Sequence, residues 1–241
     1  MTRRRNFLIG LAAAACLGGV PGPARAEPQA APIPPAAAVP KEQVHGLRVA
    51  YHDFGRRRPP GMPGIDSMEI AQAFVNQTPA DVALALNTRH LDFPAGEAGT
   101  IPAAGKSLRE FLLPAGAAEG GAELDTKMSS RNIFVFEGFV EVKQPGVYEL
   151  RGRCDDAVEI TIGDVVVLSV ESGGMYGPFH EPYRARVEFV EPGFYPVRVL
   201  FWDKHGDAGI EIYSTLDESG EAREVGPGRE LHLLPFAVEV R

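Results

Sequence analysis

A chain of 241 residues can bury a full core, and its 27 glycines and 21 prolines leave little room for long helices, so the composition leans all-β. Asp and Glu outnumber Lys and Arg by 32 to 24, a formal net charge of −8. That balance argues against nucleic acid, whose phosphates are held by Lys and Arg, and fits cation binding or plain solubility.

The first residues, Met1-Thr2-Arg3-Arg4-Arg5-Asn6-Phe7-Leu8, lead into an apolar stretch over 9–20 and then Ala24-Arg25-Ala26. A basic start, a short apolar stretch and a small-x-small site together read as a bacterial export signal over residues 1–26. Arg4-Arg5-Asn6-Phe7-Leu8 also resembles the twin-arginine pattern, which implies export in a folded state. About a dozen apolar residues are too few to cross a bilayer, so no membrane span is expected after processing. Lipidation at Cys16 is an alternative, but Ala13 suits a lipobox poorly, which favours cleavage after Ala26. Cleavage there removes four arginines and no acid, taking the net charge from −8 to −12 in a periplasmic or secreted protein. Cys154 is then the one cysteine left, so no intramolecular disulfide can form. On an apolar strand face it reads as a small buried hydrophobe rather than a reactive thiol.

Residues 27–45, rich in Ala and Pro, read as an extended linker that packs no core, ahead of a single domain over 46–236. Residues 47–54 give a first strand, and Arg56-Arg57-Arg58-Pro59-Pro60 reads as a solvated basic loop. Met68, Ala71, Phe74 and Val75 have helical spacing, which predicts a short helix over 67–76. Thr78-Pro79-Ala80-Asp81 resembles a second helix start, with Thr as cap and Pro in the first helical position, so a helix is expected over 79–86. A strand over 88–93 and a helical turn over 107–112 complete this short helical insert near the N-terminal side.

Beyond it, strands are predicted over 132–143, 146–154, 157–162, 165–170, 183–190, 193–202, 208–214 and 230–236, the pattern of an antiparallel β-sandwich or barrel. Tyr148, Leu150, Gly152 and Cys154 alternate with Glu149, Arg151 and Arg153, which gives that strand an apolar and a polar face. Asp155 and Asp156 follow directly, and Val158, Ile160 and Ile162 resume the apolar face. Gly163-Asp164 suits a type II′ hairpin into 165–170.

The chain also echoes itself. Glu141-Val-Lys-Gln-Pro145-Gly146-Val-Tyr148 matches Glu188-Phe-Val-Glu-Pro192-Gly193-Phe-Tyr195, and in each the Pro-Gly pair suits a type II turn closing a hairpin. The strand after the first turn ends at Asp155-Asp156, and the strand after the second ends at Asp203, with Asp207 beyond it. Two hairpins pointing the same way gather these acids at the opposite end of the sandwich. An acidic rim of this kind fits Ca²⁺, which takes about six to eight oxygen ligands from carboxylates, carbonyls and water. Asp155, Asp156 and Asp203 are the candidate carboxylates, with the loop around His205 and Asp207 supplying further ligands.

Gly138-Phe139-Val140, Pro145-Gly146-Val147-Tyr148, Cys154-Asp155-Asp156-Ala157 and Ile160-Thr161-Ile162-Gly163-Asp164 follow in order the run that marks PA14 domains. Pro192-Gly193-Phe194-Tyr195 and Ala208-Gly209-Ile210-Glu211-Ile212 look like the second such unit, so the chain resembles that family over about 46–234. The resemblance implies a PA14-like β-sandwich that binds carbohydrate. In sugar-binding PA14 adhesins the Asp-Asp pair is joined by a cis peptide and both side chains reach one Ca²⁺. A later loop adds an Asn side chain and backbone oxygens, and sugar hydroxyls complete the shell. Here Asp155 and Asp156 match the pair, Asp203 stands in place of the Asn, and Ala157 replaces the usual Gly. Trp202, Tyr176 and Lys204 are further candidates for sugar contact, with the 172–180 loop shaping the pocket. The alternative is a structural or protein-interaction module of an envelope assembly, in which the acidic turn only caps a strand. His180-Glu181 and His205 with Asp207 lack a neighbouring nucleophile or metalloprotease spacing, so no enzyme is expected.

Overall fold

The computed structural model describes residues 32–34, 43–88, 91–95, 99–118, 120–171, 183–216 and 236–239. In chain order it places strands β1 (Pro32–Ile33), β2 (Gln43–His45) and β3 (Leu47–His52), helices α1 (Phe54–Arg57) and α2 (Met68–Gln77), and strands β4 (Val82–Leu86), β5 (Leu91–Phe93) and β6 (Ile101–Pro102). Helix α3 (Leu108–Leu112) and a 3-10 turn (Ala122–Asp125) lead to the long strands β7 (Asn132–Val142), β8 (Gly146–Asp155), β9 (Ala157–Ile162) and β10 (Val165–Val170). The last strands are β11 (Tyr183–Phe189), β12 (Gly193–Asp203), β13 (Asp207–Leu216) and β14 (Phe236–Glu239). The export signal and the 172–180 loop lie outside the described residues.

The strands form two facing sheets. One runs β1-β11-β8-β13-β5, with β6 also on β13. The other runs β10-β9-β12-β7-β14-β2, with β3 also on β7 and β4 on β3. Between them lies an aromatic core in which Phe93 stacks on Phe136 at 5.3 Å and Phe134 on Phe136 at 5.9 Å. Phe134 also stacks on Phe201 at 6.0 Å, and Phe111 of α3 closes the group against Phe134 at 5.1 Å. The positions alternate because successive side chains of β7 and β12 point to opposite faces. Phe134 and Phe136 enter this core, while Ile133 and Val135 face the other way.

That other face is covered as well. Phe54, Ile65, Met68, Ala71 and Phe74 of the helical insert pack on Ile133, Val135, Leu200 and Trp202. Ser67 caps α2 by accepting from the Ile70 amide, and the helix ends at Thr78, just before Pro79. The helix expected over 79–86 is instead strand β4, paired with β3 from Tyr51↔Val82 to Leu47↔Leu86. Val-Ala-Leu-Ala-Leu alternates buried and open positions, and the free edge of β3 supplies the ladder that five residues cannot supply as a helix. Asp81, expected inside that helix, accepts from the Asp53 amide at 2.8 Å and pairs with Arg57 at 2.9 Å. The basic loop is likewise corrected: its first two arginines close α1, which Asp53 caps by accepting from the Arg56 amide.

Both Pro-Gly turns differ from the hairpins expected. β7 and β12 belong to one sheet and β8 and β11 to the other, so each Pro-Gly carries the chain across the sandwich. Gly146 and Gly193 have φ of 148° and 159°, unlike the about +80° of a type II turn. At each corner a tyrosine hydroxyl donates four residues back, Tyr148 to the Gln144 carbonyl at 2.7 Å and Tyr195 to that of Glu191 at 2.6 Å. Both rings meet Phe189 edge-on, at 5.3 and 4.6 Å. The turn after β9 is the hairpin expected, with Gly163 at φ 60° and no positive φ at Asp164, as type II′ requires.

Two further expectations change. The polar face of β8 is not solvated: Glu149 and Arg151 are buried and paired with each other, with Arg184 4.0 Å from Glu149. The Ala/Pro-rich linker also contributes to the core. Pro32–Ile33 pairs parallel with β11, and Ile33 is fully buried beside the backbone of Gly163. Among the described residues no helix is long and apolar enough to cross a membrane.

Candidate functional site

At the end opposite the tyrosine corners the chain crosses between sheets twice more. Asp155 closes β8 in one sheet, Asp156 is the crossing residue, and β9 begins in the other sheet at Ala157. The second crossing runs from Asp203, the last residue of β12, to Asp207, the first of β13. The expected convergence of the two acidic segments is thus present, although sheet crossings rather than hairpins produce it. The Asp156 amide donates to the Trp202 carbonyl at 3.2 Å, and the Lys204 amide donates to Asp156 Oδ2 at 2.7 Å. The Asp155–Asp156 peptide bond is cis, the geometry that the resemblance implied.

The acids repel one another in a partly dry setting. Burial pushes Asp155 up to about 6, helped by the charges of Asp156 and Asp207, while His205 opposes the shift. Asp203 is fully buried, and its carboxyl is pushed up to about 8 by burial and then by Asp156, with hydrogen bonds from the Asn132 side chain and the His205 backbone pulling it down. Asn132 Nδ2 donates to Asp203 Oδ2 at 3.3 Å, whereas Asp203 Oδ1 is buried with no hydrogen-bond partner. A carboxylate oxygen without a partner, beside two more carboxylates, is a donor set that suits a cation. Each remaining ligand would have to come from elsewhere. Among the described residues no three His, Cys, Asp or Glu side chains are grouped to hold a metal unaided. A hard cation here would need main-chain oxygens and water beside the aspartates.

The other expected site residues separate into distinct roles. His205 and Asp207 are exposed on the rim, and Asp207 accepts from the Thr100 hydroxyl at 3.3 Å. Lys204 reaches away, its ammonium paired with Asp66 just ahead of α2. Trp202 is 1% exposed, wedged between β12 and the helical insert, so its ring offers no face to a sugar. The stacking role expected for it is corrected to a packing role. Tyr176 lies outside the described residues. Cys154 is buried, with its thiol pushed up to about 12 by burial and the adjacent acids, which leaves it inert as a nucleophile.

Four residues at the site had no place in the sequence reading: Tyr51, Asp66, Thr100 and Asn132. Asn132 alone carried a local signal, as a polar residue at the head of the apolar run Ile133-Phe134-Val135-Phe136. The others come from the insert and its flanks, and only the fold brings them to the rim.

No family model matches this sequence, and no curated protein matches it. Solved structures do. The PA14 domain of the MpAFP antifreeze protein superposes with a TM-score of 0.55 at 19% identity, over 84% of this chain and 95% of that one. A PA14 sugar-binding domain from an RTX adhesin matches with a TM-score of 0.52 at 20% identity, over 75% and 94%. The A domain of a subtype-switched epithelial adhesin from Candida glabrata, in complex with β-lactose, matches with a TM-score of 0.50 at 13% identity, over 86% and 94%. At such identities the likeness is one of fold.

Proposed function

We propose that this chain, a PA14-like domain by fold, is a carbohydrate-binding module that takes glycan hydroxyls at a Ca²⁺ site on its acidic rim. The observation that carries the reading is the buried Asp203, with one oxygen unpartnered, facing the charges of Asp155 and Asp156. Bound Ca²⁺ supplies positive charge and open coordination positions, which neighbouring sugar hydroxyls can fill. Asp155, Asp156 and Asp203 would hold the ion, and the 203–207 loop would offer main-chain oxygens. Lys204 contributes through its amide, which fixes the Asp156 carboxylate. Two of the structural neighbours support this reading by what they are, a sugar-binding adhesin domain and an adhesin bound to β-lactose. Export directed by residues 1–26, as their sequence pattern reads, would put such a module outside the cytoplasm, where extracellular Ca²⁺ sites work at dissociation constants of about 0.1–1 mM.

The test is calorimetric titration of Ca²⁺ into chelator-treated protein, beside an Asp155→Asn/Asp156→Asn double variant. Binding at about millimolar affinity or tighter in the parent, lost in the variant, supports the site. A glycan array with and without EDTA then asks for the sugar. Absence of heat in both proteins would sink the reading. A second reading draws on the Lys204–Asp156 bond, which already gives one dyad oxygen a structural partner. In that case the rim is a staple of a protein-binding module, and a partner is retained whatever the chelator does.

A further inference from the structure

The polar groups behind Asp203 are buried, and one of them bonds its carboxylate directly. Asn132 heads β7 directly opposite Asp203 in the ladder and is fully buried. Its Nδ2 donates to the Ser129 carbonyl at 2.7 Å and to Asp203 Oδ2 at 3.3 Å. Both partners accept, so the amide has one orientation, and its Oδ1 must face the Tyr51 hydroxyl, which donates to it at 2.7 Å. Tyr51 is itself fixed, with its ring 5.1 Å from that of Phe134 and its hydroxyl 3.4 Å from Asp53 Oδ2. Asp53 in turn caps α1 and pairs with Arg56.

We propose that Tyr51 and Asn132 are positioning residues of the cation site, holding Asp203 with one oxygen tied to the scaffold and the other left for the ion. The inference rests on the Ca²⁺ reading above. Without the tyrosine hydroxyl, the Asn132 amide loses one of the contacts that oppose its rotation, and the donor to Asp203 Oδ2 is less firmly fixed. The carboxylate then spends part of its time turned away from Asp155 and Asp156. Tyr51 thus joins α1, through Asp53, to the acidic rim along a path of three side chains.

The test is a double-mutant cycle read by Ca²⁺ calorimetry on the chelator-treated full chain. The four proteins are the parent, Tyr51→Phe, Asp203→Asn and the double variant. Tyr51→Phe keeps the ring against Phe134 and removes only the hydroxyl, so folding is retained. Loss of one buried hydrogen bond predicts a Ca²⁺ dissociation constant roughly three- to tenfold weaker for Tyr51→Phe. In the Asp203→Asn background the same change should leave the constant where Asp203→Asn alone puts it. An unchanged constant in Tyr51→Phe, with only the melting temperature lowered, would make the network structural and overturn the proposal. An equal loss in both backgrounds would overturn it too, because Tyr51 would then act without Asp203. A parent that binds no Ca²⁺ overturns both this proposal and the reading beneath it.

Discussion

The backbone amide of Lys204 donates to Asp156 Oδ2 across 2.7 Å, which joins the two sheet crossings into one structural unit. Lys204 also sends its ammonium to Asp66 in the insert, so the same residue ties the rim to the helical layer. The Asp156 carboxylate is therefore held by the neighbouring crossing. Among the described residues the rim lacks full compensation for its charge: His205 opposes the rise at Asp155 but does not cancel it.

That lack gives a pH prediction. Asp155 at about 6 and Asp203 at about 8 both lie above the ordinary carboxylate value, so the folded state holds their protons more tightly than the unfolded chain. Their contribution to stability is fully present below about pH 4 and is lost as pH rises through 6 and then 8. Metal-free protein should therefore melt progressively lower between pH 4 and 8 on account of these groups. Asp203→Asn should flatten the upper part of that curve, as measured by calorimetric melting in chelator. A curve of the same slope in both proteins would show that Asp203 is not the titrating group.

Calcium should act in the opposite sense. At a hundredfold excess over its dissociation constant, a ligand specific for the folded state adds about 2.7 kcal/mol. In a chain of this size that corresponds to a rise of about 5–11 °C in melting temperature. The Asp155→Asn/Asp156→Asn variant should show no such rise and should melt higher than the parent in chelator, because its like charges are gone. Equal shifts in parent and variant would place any bound calcium elsewhere.

Trp202 should behave as a core residue and not as a ligand. Trp202→Ala removes a fully buried ring between β12 and the insert and should cost about 3–5 kcal/mol. Trp202→Phe should lower the melting temperature yet leave glycan retention unchanged. Loss of glycan binding in a folded Trp202→Phe protein would reopen the stacking role.

Ile33 tests whether the N-terminal segment belongs to the domain. Its side chain is fully buried, so Ile33→Ala should destabilise the protein by about 2–5 kcal/mol, read by denaturant unfolding. A free tether would tolerate the change with no measurable effect.

Much of this architecture was legible because alternation is a local signal. The faces of β8 and β9, the Gly163-Asp164 hairpin and the helix at Met68 all follow from spacing alone. The position of the acids also followed, because the internal echo put Asp156 and Asp203 at equal distance from like turns. What spacing could not say is which strand lies beside which. Pro145-Gly146 is compatible with a hairpin or a crossing, and only the partners of β7 and β8 decide between them. Residues 82–86 follow the same rule, being recruited to the edge of β3 against a good local helix start. Trp202 sat on a strand face with no visible cover until the insert folded over it. Asn132 and Tyr51, 81 residues apart in the chain, meet only in three dimensions.

The parallel strand β1 meets β11 at Glu188 and Phe189, beside the tyrosine corners, and β14 joins β7 at Phe139 and Val140 near the same end. The acidic rim lies at the far end of β12, ten residues of strand away, or about 33 Å. A surface, filament or second domain fastened at either terminal strand would therefore grip the molecule by its base. The half-buried Asp155 and Asp156 and the exposed Asp207 would then lie at the end facing away from the anchor, with Asp203 buried behind them.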